Sequence, residues 1–165
     1  MILAIDAGNS RMKWGVFEDS GVLHAHGIMP NASIANADLP NAWTQCSRSI
    51  VSNVAGPGVA ETLGNMLTKL NIPVHWLKAE AQACGVVNSY QSPGRLGTDR
   101  WASLIAAWHR YHAPCVVVNA GTALTIDALA EREDGQGLFL GGLIVPGLRL
   151  MQQSLVNATA DIDCM

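Results

Sequence analysis

Three short strand patterns follow one another at the start of the chain, before any helical pattern occurs. The first covers residues 2–6, an apolar run from Ile2 to Ile5 followed by Asp6, and the others cover residues 12–18 and 22–28. The first turn contains Gly8 and Asn9, both of which tolerate positive φ. Strands joined by turns this short pair as antiparallel neighbours. The sequence therefore predicts that the fold begins with an antiparallel three-stranded meander.

Helical and strand patterns alternate over the rest of the chain, without an internal repeat. The length of 165 residues and the 49% of hydrophobic residues predict one globular domain with a substantial core. Strands are expected at 47–55, 74–77, 115–120, 122–129 and 138–145. Helices are expected at 33–45 (weak), 59–70, 99–112 with Thr98 as N-cap, and 146–157, and a loop at 83–97. This order predicts an α/β domain with a mixed β-sheet and flanking helices.

Charge and hydropathy exclude some partners. The formal net charge is −3 and only 14% of the residues are charged, so nothing favours binding to nucleic acid or to an anionic membrane. The chain has no uncharged apolar stretch of about 18 residues and no basic segment before its first apolar run. We therefore expect a cytoplasmic protein.

Polar residues collect where the predicted strands and helices meet. They lie at the first turn, at the start of the third predicted helix, at a later strand turn and just beyond it, as Asp6, Asn9, Lys13, Asp99, Arg100, Gly121, Thr122 and Asp127. Together they provide small turns for phosphate, a cation and several carboxylates, which are the components of a phosphoryl-transfer site. Each has a simpler explanation as well. Asp99 suits the first turn of any helix, and Asp127 could be a solvated carboxylate.

Five motifs in order carry a resemblance to a known family: DAGNSRMKWG (6–15), GTDRW (97–101), NAGTALTID (119–127), GGLIVPG (141–147) and SLVNATA (154–160). The resemblance extends over nearly the whole chain, which is similar to the type III pantothenate kinases, also called the Bvg accessory factor family. The resemblance implies an actin-like, RNase H-like ATPase fold. It also implies ATP-dependent phosphorylation of the primary hydroxyl of pantothenate to 4'-phosphopantothenate, the first step of coenzyme A biosynthesis.

The resemblance assigns the nucleotide site to two turns. Asp6 would bind Mg²⁺, and Lys13 would add positive charge beside the phosphates of ATP. The residues implied in ATP or phosphate binding are Asp6, Gly8, Asn9, Ser10, Lys13, Gly121 and Thr122.

The resemblance makes Asp99 the general base that accepts the proton of the pantothenate hydroxyl. The residues implied in substrate binding are Tyr90, Gly97, Thr98, Asp99 and Arg100. Arg100 would hold the substrate carboxylate or steady Asp99, and both roles stay open at this point. Asp127 would bind a monovalent cation, K⁺ or NH₄⁺.

Two departures from the family pattern stand out. Asn119 occupies a position where many members have aspartate, and the family chains continue through a second lobe. The chain is therefore expected to contain a first lobe (1–145) and a connecting helix with the start of a second lobe (146–165), and to be inactive by itself if that lobe is required. Family members dimerise, so we expect a homodimer.

Two other functions remain open from the sequence. An accessory or regulatory protein could keep this fold without catalysis. Another small-alcohol kinase of the actin-like class is the second alternative, although GTDRW (97–101) favours the pantothenate branch.

Overall fold

The computed structural model describes residues 1–159, which form two compact units, Met1–Lys78 and a second unit that begins at Ala79. The predictions for residues 160–165, which include the end of the SLVNATA motif and of the segment 146–165, lie outside the described residues. No helix among the described residues is long and apolar enough to span a membrane.

The first unit is built on a mixed sheet with the strand order β3-β2-β1-β4-β5. Its strands are β1 (Ile2–Ala7), β2 (Arg11–Phe17), β3 (Leu23–Pro30), β4 (Arg48–Asn53) and β5 (Val74–Trp76). β1 pairs antiparallel with β2 and parallel with β4, so it lies inside the sheet. The predicted meander is confirmed.

One face of this sheet packs against α1 (Pro57–Lys69), as the apolar spacing of that segment predicts. The side chains of Leu3 and Ile5 on β1 are buried with Leu63 on α1. The weak helix predicted at 33–45 appears as two 3₁₀ turns, Asn31–Asn36 and Asn41–Gln45. The second turn places Trp43 in the core.

The second unit has its own mixed sheet, with the order β6-β7-β10-β9-β8 within residues 79–159. Its strands are β6 (Gln82–Ala83), β7 (Val86–Asn88), β8 (Cys115–Ala120), β9 (Ala123–Glu131) and β10 (Gly137–Pro146), and its helices are α2 (Thr98–Tyr111) and α3 (Leu148–Ala158). The predicted loop at 83–97 was wrong in part, because β7 pairs parallel with β10 there. A strand of three residues is too short to produce a readable alternation.

The two units share one arrangement that the sequence analysis missed. β8, β9 and β10 form an antiparallel meander, as β1, β2 and β3 do. An Ala-Gly pair ends the first strand of each meander, Ala7-Gly8 and Ala120-Gly121. Residues 1–159 therefore contain two mixed sheets where one was expected, and the α/β class is confirmed.

The contacts divide the chain between Lys78 and Ala79, whereas the lobe boundary expected at residue 145 falls within β10. How the lobes of a longer protein divide stays a prediction.

Gly27 gives a test of the core of the first unit. It lies opposite Trp14 in the β2–β3 pair, and a Cβ added there would lie 2.6 Å from Cζ2 of Trp14. Trp14 in turn packs edge-on against Trp43, with ring centroids 5.9 Å apart. We expect Gly27→Ala to lower the free energy of unfolding by about 1–3 kcal/mol in urea titrations, because it overpacks this contact.

Gly58→Ala on α1 is the matched control, because a Cβ there meets nothing within 4 Å. It should leave stability unchanged or raise it by up to about 1 kcal/mol. Equal unfolding midpoints for Gly27→Ala and the parent protein would contradict the packing argument.

Candidate functional site

The first turn brings together the carboxylate and the cation that the sequence predicted there. Asp6 on β1 is in register with Lys13 on β2 and with Ser52 on β4. The Nζ atom of Lys13 lies 3.9 Å from Oδ2 of Asp6, and both side chains are about half exposed. An ion pair this exposed adds little to stability. Both side chains therefore remain partly accessible to a ligand, although Oδ1 of Asp6 is buried.

Asn31 braces this turn, and sequence reasoning missed it. Its Nδ2 donates to the carbonyl oxygens of Gly8 (2.7 Å) and Asn9 (3.1 Å), and its backbone N–H donates to the Ser10 carbonyl (3.2 Å). The only local signal was an asparagine directly after β3. Gly8 and Asn9 tolerate positive φ, but neither residue adopts it here. Asn31 and a Gly8 N–H···O bond to Arg11 (3.1 Å) shape the turn instead.

Gly147 supports the second predicted phosphate turn, Gly121-Thr122, which joins β8 to β9. Its N–H donates to the Thr122 carbonyl at 2.9 Å. A Cβ at Gly147 would overlap the Gly121 carbonyl oxygen and lie 2.7 Å from that of Thr122. Only glycine fits here without moving the turn. The glycine that ends the GGLIVPG motif therefore positions the turn at 121–122.

Asp99 lies in the first turn of α2, where its negative charge is favoured by the helix dipole. Its Oδ1 accepts a hydrogen bond from the backbone N–H of Arg100 at 2.8 Å. Gly97 leaves room for this conformation, since a Cβ there would lie 2.6 Å from that oxygen. The prediction of Thr98 as N-cap was wrong, because Gly97 is the N-cap and Thr98 begins the helix. Asp99 is half-buried, with one oxygen held by the backbone.

The Arg100 side chain pairs with Asp127, not with its neighbour Asp99. Its Nε donates to both carboxylate oxygens of Asp127 at 3.1 Å, and its Nη2 donates to Oδ1. Both side chains are buried, and that of Asp127 has no exposed surface. The hydrogen bond to Asp127 raises the pKa of Arg100 above its ordinary value, against the opposing effect of burial, and nearby Tyr90 adds smaller contributions. The charge of the pair is thus held inside the second unit.

A β-bulge in β10 makes room for this ion pair. The β9–β10 register shifts between Phe139 and Gly141, and the shift places Gly142 opposite Asp127. Gly141 has a φ of 141°, which side chains rarely adopt. A Cβ on Gly142 would overlap Oδ1 of Asp127 and lie 2.6 Å from Nη2 of Arg100. Position 141 therefore requires glycine for its backbone conformation, and position 142 requires it for the space that the ion pair occupies.

Tyr90 lies in the same part of the second unit. Its ring centroid is 5.1 Å from that of Phe139, and the Arg100 guanidinium carbon lies 5.9 Å from the Phe139 centroid. Asn88 is buried and holds the loop, since its Oδ1 accepts from the backbone N–H of Tyr90 at 3.1 Å. The structure thus brings Tyr90 and Arg100 into contact with the same aromatic ring.

Asp127 does not fit a monovalent cation, because both of its oxygens accept bonds from Arg100 and none of its surface is open. Asp6 does fit the way Mg²⁺ binds in kinases, through one accessible carboxylate together with water and substrate phosphates. Residues 1–159 contain no cluster of three or more His, Cys, Asp or Glu side chains suited to a metal.

One solved structure shows the same fold. The ethanolamine utilization protein EutJ from Carboxydothermus hydrogenoformans aligns with 94% of this chain and 56% of its own, with a TM-score of 0.51 and 11% sequence identity. An identity this low shows the fold alone. The likeness supports the α/β fold with mixed sheets and flanking helices.

Sequence relatives define the family. The model of the type III pantothenate kinase family matches residues 2–164. Type III pantothenate kinases from Methylobacillus flagellatus and Nitrosospira multiformis are 48% and 40% identical over 99% of this chain. The chain belongs to the type III pantothenate kinase family. It spans 64% and 61% of the lengths of these two relatives.

Gly142→Ala tests whether the bulge exists to house the ion pair. The added methyl group would separate Arg100 from Asp127, and breaking a buried pair costs about 3–5 kcal/mol. We expect urea titrations to show a loss of stability of that order. Gly94→Ala in the same unit is the control, since a Cβ there meets nothing within 4 Å. A Gly142→Ala midpoint equal to that of the control would show that the pair tolerates the methyl group.

Proposed function

We propose that the protein containing this chain transfers the γ-phosphoryl group of ATP to the primary hydroxyl of pantothenate. Family membership supports the reaction class. The observation that carries the proposal is the position of Asp99 at the start of α2, where the backbone N–H of Arg100 donates a hydrogen bond to its carboxylate. The same unit contains Tyr90 and the Arg100–Asp127 ion pair. A base, a cationic fork and an aromatic ring are what recognition and activation of a hydroxy acid require.

In the proposed reaction Asp99 is the general base. It accepts the proton of the pantothenate hydroxyl as that oxygen forms a bond to the γ-phosphorus of ATP. The bond between the γ-phosphorus and its bridging oxygen breaks, and ADP leaves with the electron pair. The hydrogen bond from Arg100 N–H to Oδ1 fixes the Asp99 carboxylate before substrate arrives.

The two glycine turns contact phosphate in this proposal. Lys13 and Asp6 lie at the first, and Gly121-Thr122 forms the second, supported by Gly147. A glycine lets a phosphate approach the backbone N–H groups closely. Asp6 would hold Mg²⁺, which neutralises charge that develops on the phosphates. A need for K⁺ or NH₄⁺ stays a prediction, and Asp127 does not fit as its ligand.

Asp99→Asn tests the base. Asparagine keeps an oxygen for the Arg100 N–H and so preserves the fold, but it cannot take up the proton. We expect kcat for pantothenate phosphorylation by the whole protein that contains this chain to fall by about 10²- to 10⁴-fold. A coupled assay of ADP release measures it.

Asp19→Asn serves as the control, because Asp19 forms an exposed ion pair with Arg48. It should leave the rate unchanged. If Asp99→Asn turned over at the parent rate, Asp99 would not be the base.

We also propose that the 165-residue chain self-associates through the second unit. All residues of α3 are exposed, including the apolar Leu148, Leu150, Met151, Leu155 and Val156. β8 lies at the edge of its sheet with Val116 and Val118 exposed. Unpaired apolar edges and patches of this kind usually acquire a partner. A second copy of the chain is the partner available in a pure solution.

Light scattering tests this association. We expect at least a dimer at tens of micromolar, with little change in 0.5 M salt because apolar contacts are not screened. Val118→Lys, which places a charge on the exposed edge strand, should shift the chain toward monomer. A monodisperse parent monomer would contradict the proposal.

A further inference from the structure

We propose that Asn31 is a positioning residue for the first phosphate turn. It holds the carbonyl oxygens of Gly8 and Asn9 on its own side and thereby directs the backbone N–H groups of Asn9 and Ser10 to the side where phosphate binds. The inference deepens the proposed function and rests on it. It concerns a residue that lies 23 positions after Gly8 and outside the five sequence motifs.

Asn31 bonds to three successive carbonyl oxygens of the turn. Its Nδ2 donates to the carbonyl of Gly8 at 2.7 Å and to that of Asn9 at 3.1 Å. Its backbone N–H donates to the carbonyl of Ser10 at 3.2 Å. One residue at the end of β3 therefore fixes the orientation of three consecutive peptide groups.

The orientation of the Asn31 amide follows from its two partners. A flipped amide would place Oδ1 against two carbonyl oxygens, neither of which can donate. The Nδ2 atom carries two hydrogens, one for each carbonyl. Aspartate would have no donor at this place when it is ionised, and serine would have one. Asparagine supplies both bonds from a single atom.

These carbonyl bonds decide where the N–H groups of the turn point. In a planar trans peptide, the carbonyl oxygen and the N–H of the following residue point in opposite directions. No peptide bond within residues 1–159 is cis. Because the carbonyls of Gly8 and Asn9 point at Asn31, the N–H groups of Asn9 and Ser10 point away from it. Asn9 and Ser10 are exposed, so a ligand can approach the turn from solvent.

The direction of these peptide groups matters for an anion. Carbonyl oxygens turned toward a phosphate repel it, whereas N–H groups donate hydrogen bonds to it. Lys13 and a metal ion at Asp6 would neutralise charge on the phosphates, but neither fixes the orientation of the turn. The bonds from Asn31 supply that orientation before the nucleotide arrives.

The hydrophobic core holds Asn31 in place. Asn31 begins the 3₁₀ turn Asn31–Asn36, directly after Pro30. Ile34 of the same turn is buried in the core of the first unit together with Leu63 of α1. The phosphate turn is therefore tied through Asn31 to the packed part of the unit.

The other amide atom shows which end of Asn31 matters. Its Oδ1 is buried and has no hydrogen-bond partner among residues 1–159. A buried acceptor without a partner lowers stability. An amide at this position therefore contributes through the two bonds of Nδ2, not through its oxygen.

The test compares two variants of the whole protein that contains this chain. Asn31→Ala removes the donor without adding charge, and Asn31→Asp removes it while keeping the shape of the side chain. Calorimetric titration with ATP and Mg²⁺ should give a Kd about 10- to 100-fold higher for both, as expected when hydrogen bonds to a charged group weaken. The KM for ATP should rise with it, and the KM for pantothenate should stay unchanged.

Asn36→Ala is the matched control. Asn36 is exposed at the other end of the same 3₁₀ turn. It should leave the Kd for ATP and both KM values at those of the parent protein.

Other outcomes overturn the positioning role. A parent Kd in Asn31→Asp with a raised one in Asn31→Ala would show that Asn31 only fills space. A fall in kcat, or a rise in both KM values, with an unchanged Kd for ATP would make it a general structural residue. If Asn31→Ala does not fold, Asn31→Asp decides alone, and a folded Asn31→Asp protein with the parent Kd sinks the proposal.

Failure of the proposed function gives a different result. A parent protein that binds ATP tightly, loses affinity in both variants and phosphorylates no pantothenate would overturn the proposed reaction and leave the role of Asn31 supported. A parent protein that binds no ATP in the presence of Mg²⁺ would overturn both.

Discussion

The buried ion pair between Arg100 and Asp127 constrains the second unit more than any other contact described above. A charge placed in a protein interior must be paired, and removal of one partner is far more costly than replacement of both. The pair joins the first turn of α2 to the middle of β9, two points 27 residues apart in the chain. The orientation of α2, and with it the place of Asp99, therefore depends on an electrostatic requirement as well as on apolar packing.

The same requirement explains the irregular part of β10. A regular strand with a side chain at position 142 would fill the space that the ion pair occupies. The bulge at Gly141 sets the register, and the missing side chain at Gly142 leaves that space to the ion pair. The Gly141-Gly142 pair thus allows the Arg100–Asp127 ion pair to pack against β10. The apolar residues after it, Leu143 and Ile144, are exposed on the same strand.

Local sequence patterns made the strands β1, β2 and β8 and the helices α1 and α2 predictable, because apolar runs, alternation and helical spacing are properties of neighbouring residues. Contacts between distant residues were not predictable in this way. Asp99 adjoins Arg100 in sequence, yet Asp127 is its partner in space. Asn31 lies more than twenty residues from the turn that it braces, and Gly147 lies beyond the β9–β10 hairpin from the turn it supports. Family resemblance identified the motifs, but the pairing of Arg100 with Asp127, and not with Asp99, appears only in the structure.

The two meanders place chemically different side chains at corresponding points. Each first strand ends with an Ala-Gly pair, preceded by Asp6 in one unit and by Asn119 in the other. Asp6 has Lys13 across the strand pair, whereas Asn119 accepts a long hydrogen bond of 3.5 Å from the hydroxyl of Ser103. A carboxylate beside a phosphate is repelled unless a cation lies between them, while an uncharged amide can donate to the phosphate directly. In the proposed function, the first turn would therefore hold phosphate through a metal ion, and the second would hold it by hydrogen bonds alone.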